Sequence, residues 1–243
     1  MADDNGQGAP AEVAVPLAVK TSDLPVRVAS ALAMLVIAGA ALWAGGRWLD
    51  LFIAVVVLVA FGEFLRLVLK AVAAPAARVF GGLAGALYMG LAGLLLTRLP
   101  TGMIVAIIGA VIFVDTFAYF IGRAIGGPKI APRISPSKTW AGLLGGIAGA
   151  SLWVAFWVYI VAKALNGVSP WTFGGHDALV ILAGGTAIAV CAQAGDFFES
   201  WLKRRAGVKD SSNLLPGHGG VFDRIDGMIP VVLLAGLVFG WPA

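Results

Sequence analysis

Residues 102–122, GMIVAIIGAVIFVDTFAYFIG, decide the fold class, because they run for 21 residues with Asp115 as the single charged side chain. A helix of about 20 apolar residues crosses the hydrocarbon core of a bilayer. Comparable runs lead us to expect further helices at 28–46, 48–70, 77–97, 139–163, 177–196 and 221–241. The sequence therefore predicts an all-α, polytopic transmembrane bundle of about seven spanning helices. Pro230 predicts a kink in the last of them.

The composition excludes a water-soluble globular protein. Hydrophobic residues make up 60% of the 243-residue chain and charged residues only 12%, against roughly 25% charged residues in soluble domains. The 33 glycines suit close helix–helix contacts in lipid. The single cysteine, Cys191, cannot form an internal disulfide. The pI near 9.5 suits anionic head groups or phosphates and does not require nucleic acid, because the basic residues are spread between apolar helices.

The basic residues divide unequally between the two ends of the predicted helices. With the N-terminus in the cytoplasm, fourteen of the seventeen lysines and arginines fall on the cytoplasmic side. The remaining three, Arg47, Arg98 and Lys163, fall on the far side. This is the bias of the positive-inside rule. The polar residues 1–26 lack a signal-peptide pattern and predict a flexible tail, and 27–243 predict a single membrane domain.

Two polar loops on the basic side are rich in glycine and proline, at 123–138 and 197–220. If 194–204 continues as a helix, Asp196, Glu199 and Lys203 share one face of it. Asp223 and Asp226 share a face of the last helix by the same spacing. Neighbouring carboxylates repel one another unless a cation joins them, and Mg²⁺ prefers such oxygen ligands.

Groups suited to phosphate accompany these carboxylates. The cations are Lys203, Arg204, Lys209 and Arg224, and the bare backbone of a turn is offered by Gly217, Gly219 and Gly220. Together the residues predict a nucleoside triphosphate site. Each feature also has a plainer interpretation: the Lys-Arg-Arg run as a topology anchor, Asp196 with Lys203 as a structural ion pair, and His218 as an exposed turn residue.

The same stretch resembles the signature of the phosphatidate cytidylyltransferase (CDP-diacylglycerol synthase) family. The matching residues are Ser200, Lys203-Arg204, Lys209-Asp210, Pro216, His218-Gly219-Gly220 and Asp223-Arg224-Ile225-Asp226. A second similar block comprises Asp115, Ala118-Tyr119, Gly122, 134–139 and Gly142. The two blocks cover the C-terminal half of the chain, and the resemblance makes 27–243 a catalytic domain with its signature region at 195–227.

The resemblance implies that CTP and phosphatidic acid give CDP-diacylglycerol and pyrophosphate in phospholipid biosynthesis. It implies an Mg²⁺-dependent enzyme of the bacterial inner membrane, with its site facing the cytoplasm, a second cation such as K⁺, and a homodimer. The expected metal ligands are Asp196, Asp223 and Asp226. The other catalytic residues expected are Lys203, Lys209 and His218, with His218 in the phosphate-facing turn or, as the weaker role, donating a proton to pyrophosphate. Substrate binding is expected from Arg204, Arg224, Asp210, Gly219, Gly220, Ser135, Ser137, Lys138, Asp115 and Tyr119.

Several alternatives stay open from the sequence. Ser135, Ser137 and Lys138 close over the substrate, or their segment is a rigid proline turn that caps a helix. Glu63 snorkels, pairs with Arg66 or contacts substrate. A CTP-dependent lipid or polyprenol kinase would use the same nucleotide and metal. A transporter would use Asp115, Glu63 and Asp196 for ion coupling, although polar residues gathered at one face argue against it. A CDP-alcohol phosphotransferase is disfavoured, because its aspartate motif is missing.

Overall fold

The structure is a computed structural model that describes residues 24–166 and 175–239. Its first four helices are α1 (Leu24–Ala44), α2 (Gly46–Ala71), α3 (Pro75–Arg98) and α4 (Thr101–Ile125). A two-stranded antiparallel hairpin follows, β1 (Lys129–Ala131) and β2 (Ser135–Thr139). The remaining helices are α5 (Trp140–Asn166), α6 (Gly175–Ala206), α7 (Phe222–Ile225) and α8 (Met228–Phe239).

Six of these helices, α1 to α6, are long and apolar enough to cross a membrane, so the predicted all-α bundle of a multi-pass membrane protein is confirmed. The predicted seventh helix at 221–241 is not one continuous helix in the structure. Within the described residues it consists of the single turn α7 and the 12-residue α8. Pro230 is the third residue of α8. Backbone N–H groups in the first turn of a helix have no acceptor within the helix, so a proline there removes no hydrogen bond. The helix is therefore interrupted before Pro230 and not kinked at it.

The break between α7 and α8 lies where the chain passes very close to α6. A Cβ on Gly195 of α6 would lie 3.0 Å from the Cα of Gly227, and a Cβ on Gly227 would lie 2.9 Å from Oδ1 of Asp196. The two glycines let the backbones approach at this crossing. As a result Asp196 and the 226–227 segment lie side by side.

The glycine-rich sequence packs α5 closely against α4, as predicted. A Cβ on Gly149 would lie 2.6 Å from the Phe113 carbonyl oxygen, and one on Gly145 would lie 2.7 Å from the Phe117 carbonyl oxygen. No larger residue fits such a contact without moving a helix. The central core is built mainly by α2, α3, α6 and α8, with Leu67, Met89 and Val232 almost completely buried.

Both predicted polar loops lie at one end of the bundle. Loop 123–138 forms the end of α4 and most of the hairpin, which the sequence analysis did not predict. Pro132 and Pro136 are residues that strands disfavour. Thr139 accepts a hydrogen bond from the Gly142 amide at 3.0 Å, so the predicted cap at the start of α5 is formed by this residue. The predicted tail, 1–26, lies outside the described residues except for 24–26, which begin α1.

Candidate functional site

The functional site begins with the last turns of α6, which continue to Ala206. This is the helical continuation that the shared face of Asp196, Glu199 and Lys203 depends on. Lys203 Nζ lies 2.6 Å from a Glu199 carboxylate oxygen one turn earlier. It also donates to Asp223 Oδ1 at 2.9 Å. All three side chains are largely buried. The plainer interpretation of Asp196 with Lys203 as a structural ion pair is therefore wrong, because Lys203 pairs with Glu199 and Asp223.

Asp223 is surrounded by hydrogen-bond donors. Besides Lys203, its carboxylate accepts from the Ser211 amide at 3.0 Å and the Gly220 amide at 2.7 Å, and the Ser211 hydroxyl lies 3.1 Å away. Burial acts to raise the pKa of Asp223, but contacts with Glu199, the Gly220 amide, Lys203 and the Ser211 amide outweigh it and hold the pKa well below its ordinary range. Asp223 is thus a stable anion that orders the loop around it.

A second group of charges forms around Asp196. Lys138, from the end of β2, makes a direct ion pair with the Asp196 carboxylate. Asp115 of α4 and Asp226 each lie close enough to Asp196 to interact with it electrostatically. Burial, followed by the neighbouring Asp196 carboxylate, raises the pKa of Asp226 above its ordinary range. The structure thus brings three of the predicted aspartates together with the predicted lysine.

These charges lie beside a polar cavity of about 540 Å³ under the hairpin. Asp115, Tyr119, Ser137 and Lys138 all line it, so the α4 and hairpin parts of the second sequence block share one cavity. Arg123, which also lines the cavity, donates a hydrogen bond to the Tyr119 hydroxyl at 2.9 Å. Lysines and arginines beside hydroxyl groups make this cavity suitable for phosphates.

The other predicted hairpin and helix residues lie near this cavity without lining it. Ser135 is buried within the hairpin, opposite Ala131. Arg204 of α6 donates to the Ile134 carbonyl oxygen over a long 3.4 Å, which ties α6 to the hairpin. Arg224 is exposed on α7, within electrostatic range of Asp115.

Lys209 and Asp210 face a second polar cavity, of about 490 Å³, between the end of α2 and residues 208–213. Arg66 and Lys70 of α2 line it as well. Neither these two cations nor Lys209 forms an ion pair with any residue that the structure describes. The cavity therefore joins three exposed positive charges next to the signature loop.

The glycine turn around His218 packs against α1. Ser30 Oγ lies 2.8 Å from both His218 Nδ1 and the Pro216 carbonyl oxygen. The hydroxyl can donate to the carbonyl while accepting from a protonated Nδ1. Gly219, at φ +83°, lies where a Cβ would be 2.6 Å from Asp223 Oδ2. The turn therefore requires glycine there, and His218 is oriented by a helix that the sequence did not link to it.

Glu63, for which the sequence left three roles open, lies 5% exposed beneath the signature loop. It accepts hydrogen bonds from Ser211, Ser212 and the Phe222 amide. It forms no ion pair with Arg66 or with any other described residue. Sequence reasoning missed Ser30 and Ser211 as site residues. It left the role of Glu63 open and placed Glu199 on the acidic face of α6 without giving it a role; the signal for Glu63 was an acidic residue inside an apolar helix.

The carboxylate oxygens of Asp196 and Asp226 are ligands suited to a hard cation. Burial and the neighbouring Asp196 carboxylate raise the cost of charge on Asp226, which a divalent ion would relieve. The buried Glu199 Oε1 has no hydrogen-bond partner among the described residues. In the described conformation, however, no three Asp, Glu, His or Cys side chains form a ligand group. Asp223 fits less well, because donors already fill its two oxygens.

Comparison with known proteins agrees with the resemblance in the signature. Residues 79–240 match the sequence model of the Cytidylyltransferase family. A phosphatidate cytidylyltransferase of Brucella abortus is 43% identical over 168 residues, which are 65% of this chain and 58% of the relative. Those of Pseudomonas aeruginosa and Thermotoga maritima are 38% and 41% identical over 60% and 51% of the chain, and 51% and 44% of the relatives. The chain thus spans about half the length of the curated relatives it matches.

Proposed function

Because the chain belongs to the cytidylyltransferase family, we propose that it transfers the cytidylyl group of CTP to phosphatidic acid, forming CDP-diacylglycerol and pyrophosphate. The observation that carries the proposal is the meeting of the Lys203–Asp223 network, the Asp196–Asp226 carboxylates and Lys138 beside a cavity of about 540 Å³ at one end of a membrane bundle. Such a site can serve a lipid head group and a soluble nucleotide at the same interface.

In the proposed reaction an oxygen of the lipid phosphate attacks the α-phosphorus of CTP. The bond from that phosphorus to the bridging oxygen of the β-phosphate breaks, and pyrophosphate leaves with the electron pair. The reaction needs alignment and charge neutralisation rather than covalent help from the protein. Lys138 and the cavity beneath the hairpin would hold the nucleotide phosphates, while His218, Gly219 and Gly220 would form the turn that faces them.

Asp196 and Asp226 would hold Mg²⁺, with Asp223 joining them if its hydrogen bonds are released. When bound, the ion would neutralise phosphate charge and orient the leaving group. Lys203 keeps Asp223 in place, while Arg204 and Arg224 would add positive charge near the triphosphate. Asp210 would orient Lys209 at the second cavity. A second cation such as K⁺ belongs to the same proposal.

The second cavity would receive the phosphate of the lipid. Arg66 and Lys70 lie in the last two turns of a helix that is long and apolar enough to span a membrane, so the proposal places them at the level of the lipid head groups. Lys209 adds a third charge from the signature loop. The biased distribution of basic residues supports placing this end of the bundle in the cytoplasm of a bacterial inner membrane. Glycine-rich helix faces are compatible with a homodimer, which we include in the proposal.

Two radiolabels test the reaction with the purified protein in detergent micelles containing phosphatidic acid and Mg²⁺. CTP labelled at the α-phosphorus should yield a labelled lipid, whereas CTP labelled at the γ-phosphorus should yield only labelled pyrophosphate. Label from the γ-position in the lipid would indicate a lipid kinase and refute cytidylyl transfer. Absence of labelled lipid from both substrates would refute cytidylyl transfer to phosphatidic acid.

A further inference from the structure

We propose that Glu63 of α2 is a positioning residue that fixes the signature loop 211–222 and, through it, the catalytic geometry of Asp223. Its carboxylate receives three donors from both ends of that loop. Ser212 Oγ donates to Oε1 at 2.5 Å, while the Phe222 amide donates to Oε2 at 2.7 Å. Ser211 Oγ lies 3.1 Å from the same Oε2. One side chain thus closes the loop at both ends.

A carboxylate suits this position because it only accepts hydrogen bonds and offers two oxygens for them. Glu63 lies in an apolar helix long enough to span a membrane, where an acidic side chain without partners is costly. The amide and hydroxyls of the loop would be equally costly if they were left buried without an acceptor. The carboxylate of the helix and the hydrogen-bond donors of the loop therefore satisfy each other.

Ser211 carries the effect of Glu63 into the site. Its hydroxyl lies 3.1 Å from Glu63 and 3.1 Å from Asp223, and its amide donates to Asp223 at 3.0 Å. The hydroxyl has one proton and donates to one carboxylate at a time, while the amide keeps its bond to Asp223. Asp223 in turn accepts from Lys203 at 2.9 Å. A continuous set of contacts therefore joins α2 to the end of α6.

Gly220 shows how closely Glu63 fits beneath the loop. A Cβ there would lie 2.5 Å from Glu63 Oε2 and would also collide with Ser211 Oγ. Gly220 donates its amide to Asp223 at 2.7 Å, so the glycine is held between the two carboxylates. Displacement of Glu63 would let the turn that holds Asp223 move.

Glu63 lies before the region that matches the family, which begins at residue 79. The N-terminal helices thus contribute more than membrane anchorage, since α2 supplies the support of the signature loop. The order of the loop is a physical property of the fold, whereas the catalytic effect of Glu63 rests on the proposed function. The two can be measured separately.

The test compares Glu63→Gln with Asp50→Asn, a matched change of acid to amide at an exposed position of the same helix. The glutamine side chain would keep an oxygen towards Phe222 and Ser211 but would turn its NH₂ towards Ser212. Hydrogen exchange followed by mass spectrometry should show faster exchange in peptides covering 211–222 and unchanged exchange in α3 to α5. We expect kcat to fall roughly tenfold in Glu63→Gln, which is the effect of one lost charge-assisted bond, with the KM for CTP within about twofold.

Two further variants grade the effect. Ser212→Ala removes one of the three contacts without altering α2 and should speed exchange of the loop with a smaller loss of kcat. Glu63→Ala removes all three and should lose more activity than Glu63→Gln; should it fail to fold, Ser212→Ala and Glu63→Gln still decide. Wild-type exchange and kcat in Glu63→Gln would overturn the inference. Faster loop exchange in a protein whose wild type makes no liponucleotide would support the anchor and refute the proposed reaction instead.

Discussion

Replacing Asp223 with asparagine tests whether the charge of this carboxylate organises the site. The amide oxygen can keep the contacts with the Gly220 and Ser211 amides, at 2.7 and 3.0 Å. The new NH₂ group then faces Lys203, which loses its 2.9 Å partner and retains Glu199. Loss of this charge-assisted hydrogen bond, with the asparagine NH₂ left facing the Lys203 ammonium, costs about 3 kcal/mol. If all of that cost falls on the transition state, the rate falls roughly 150-fold.

The cost will be shared between the fold and the reaction, so we expect kcat to fall between about 10-fold and about 150-fold. Rates of liponucleotide formation at saturating CTP and phosphatidic acid give this change, and thermal unfolding in the same detergent gives the part that falls on stability. Asp50→Asn, exposed on α2, serves as the matched control and should leave both unchanged. A fully active Asp223→Asn enzyme would refute the idea that the anion organises the site.

Three further perturbations address the cations and the metal. Removing divalent cations with a chelator should stop liponucleotide formation and added Mg²⁺ should restore it; full activity in chelator would exclude the metal role. Arg66→Gln and Lys70→Gln should each raise the KM for phosphatidic acid by up to about fivefold, the value of one exposed charge, while Arg47→Gln at the other end of α2 should not. Equal rises in the KM for CTP would contradict the assignment of the second cavity to the lipid. Asp226→Asn should abolish activity yet raise the thermal midpoint, and more so at about pH 8 than at about pH 5. Asp226 holds its proton more tightly in the folded protein than in the unfolded chain, so the stability of the wild type falls as pH rises through that range. An equal gain in thermal midpoint at both pH values would contradict this explanation.

The sequence was sufficient to predict the helical bundle, because apolar runs of about 20 residues are typical of membrane-spanning helices and rare elsewhere. Six of the expected helices appear, most of them within a few residues of their predicted ends. The break before α8 could not be predicted in the same way. Residues 221–241 form one apolar run in the sequence, and the break depends on the approach of Gly195 to Gly227, which are 32 positions apart.

The i, i+4 spacing of Asp115 and Tyr119 predicted a shared face, and both line one cavity. Asp223 and Asp226 were expected to share a face by their spacing, but they join different groups of charges. Which of them pair depends on distances across the fold. The sequence left an Asp196–Lys203 ion pair as one alternative, but Lys203 bonds Asp223 and Asp196 pairs with Lys138 of the hairpin. Glu63 contacts Ser211 and Ser212 across 148 and 149 positions, and nothing in its own helix predicts this choice over Arg66.

The aspartates of the signature differ in how many hydrogen bonds the protein offers them, and this difference bears on the roles proposed for them. Asp223 accepts hydrogen bonds from several donors, which stabilise its negative charge and occupy both of its carboxylate oxygens. Asp226 is half-buried beside another carboxylate, so it holds its proton more tightly than usual. A metal ligand needs lone pairs that the protein has not already used, whereas a residue that shapes a loop needs them used. By this reasoning Asp226 and Asp196 are better suited to bind Mg²⁺, and Asp223 is better suited to hold the loop that Glu63 supports from below.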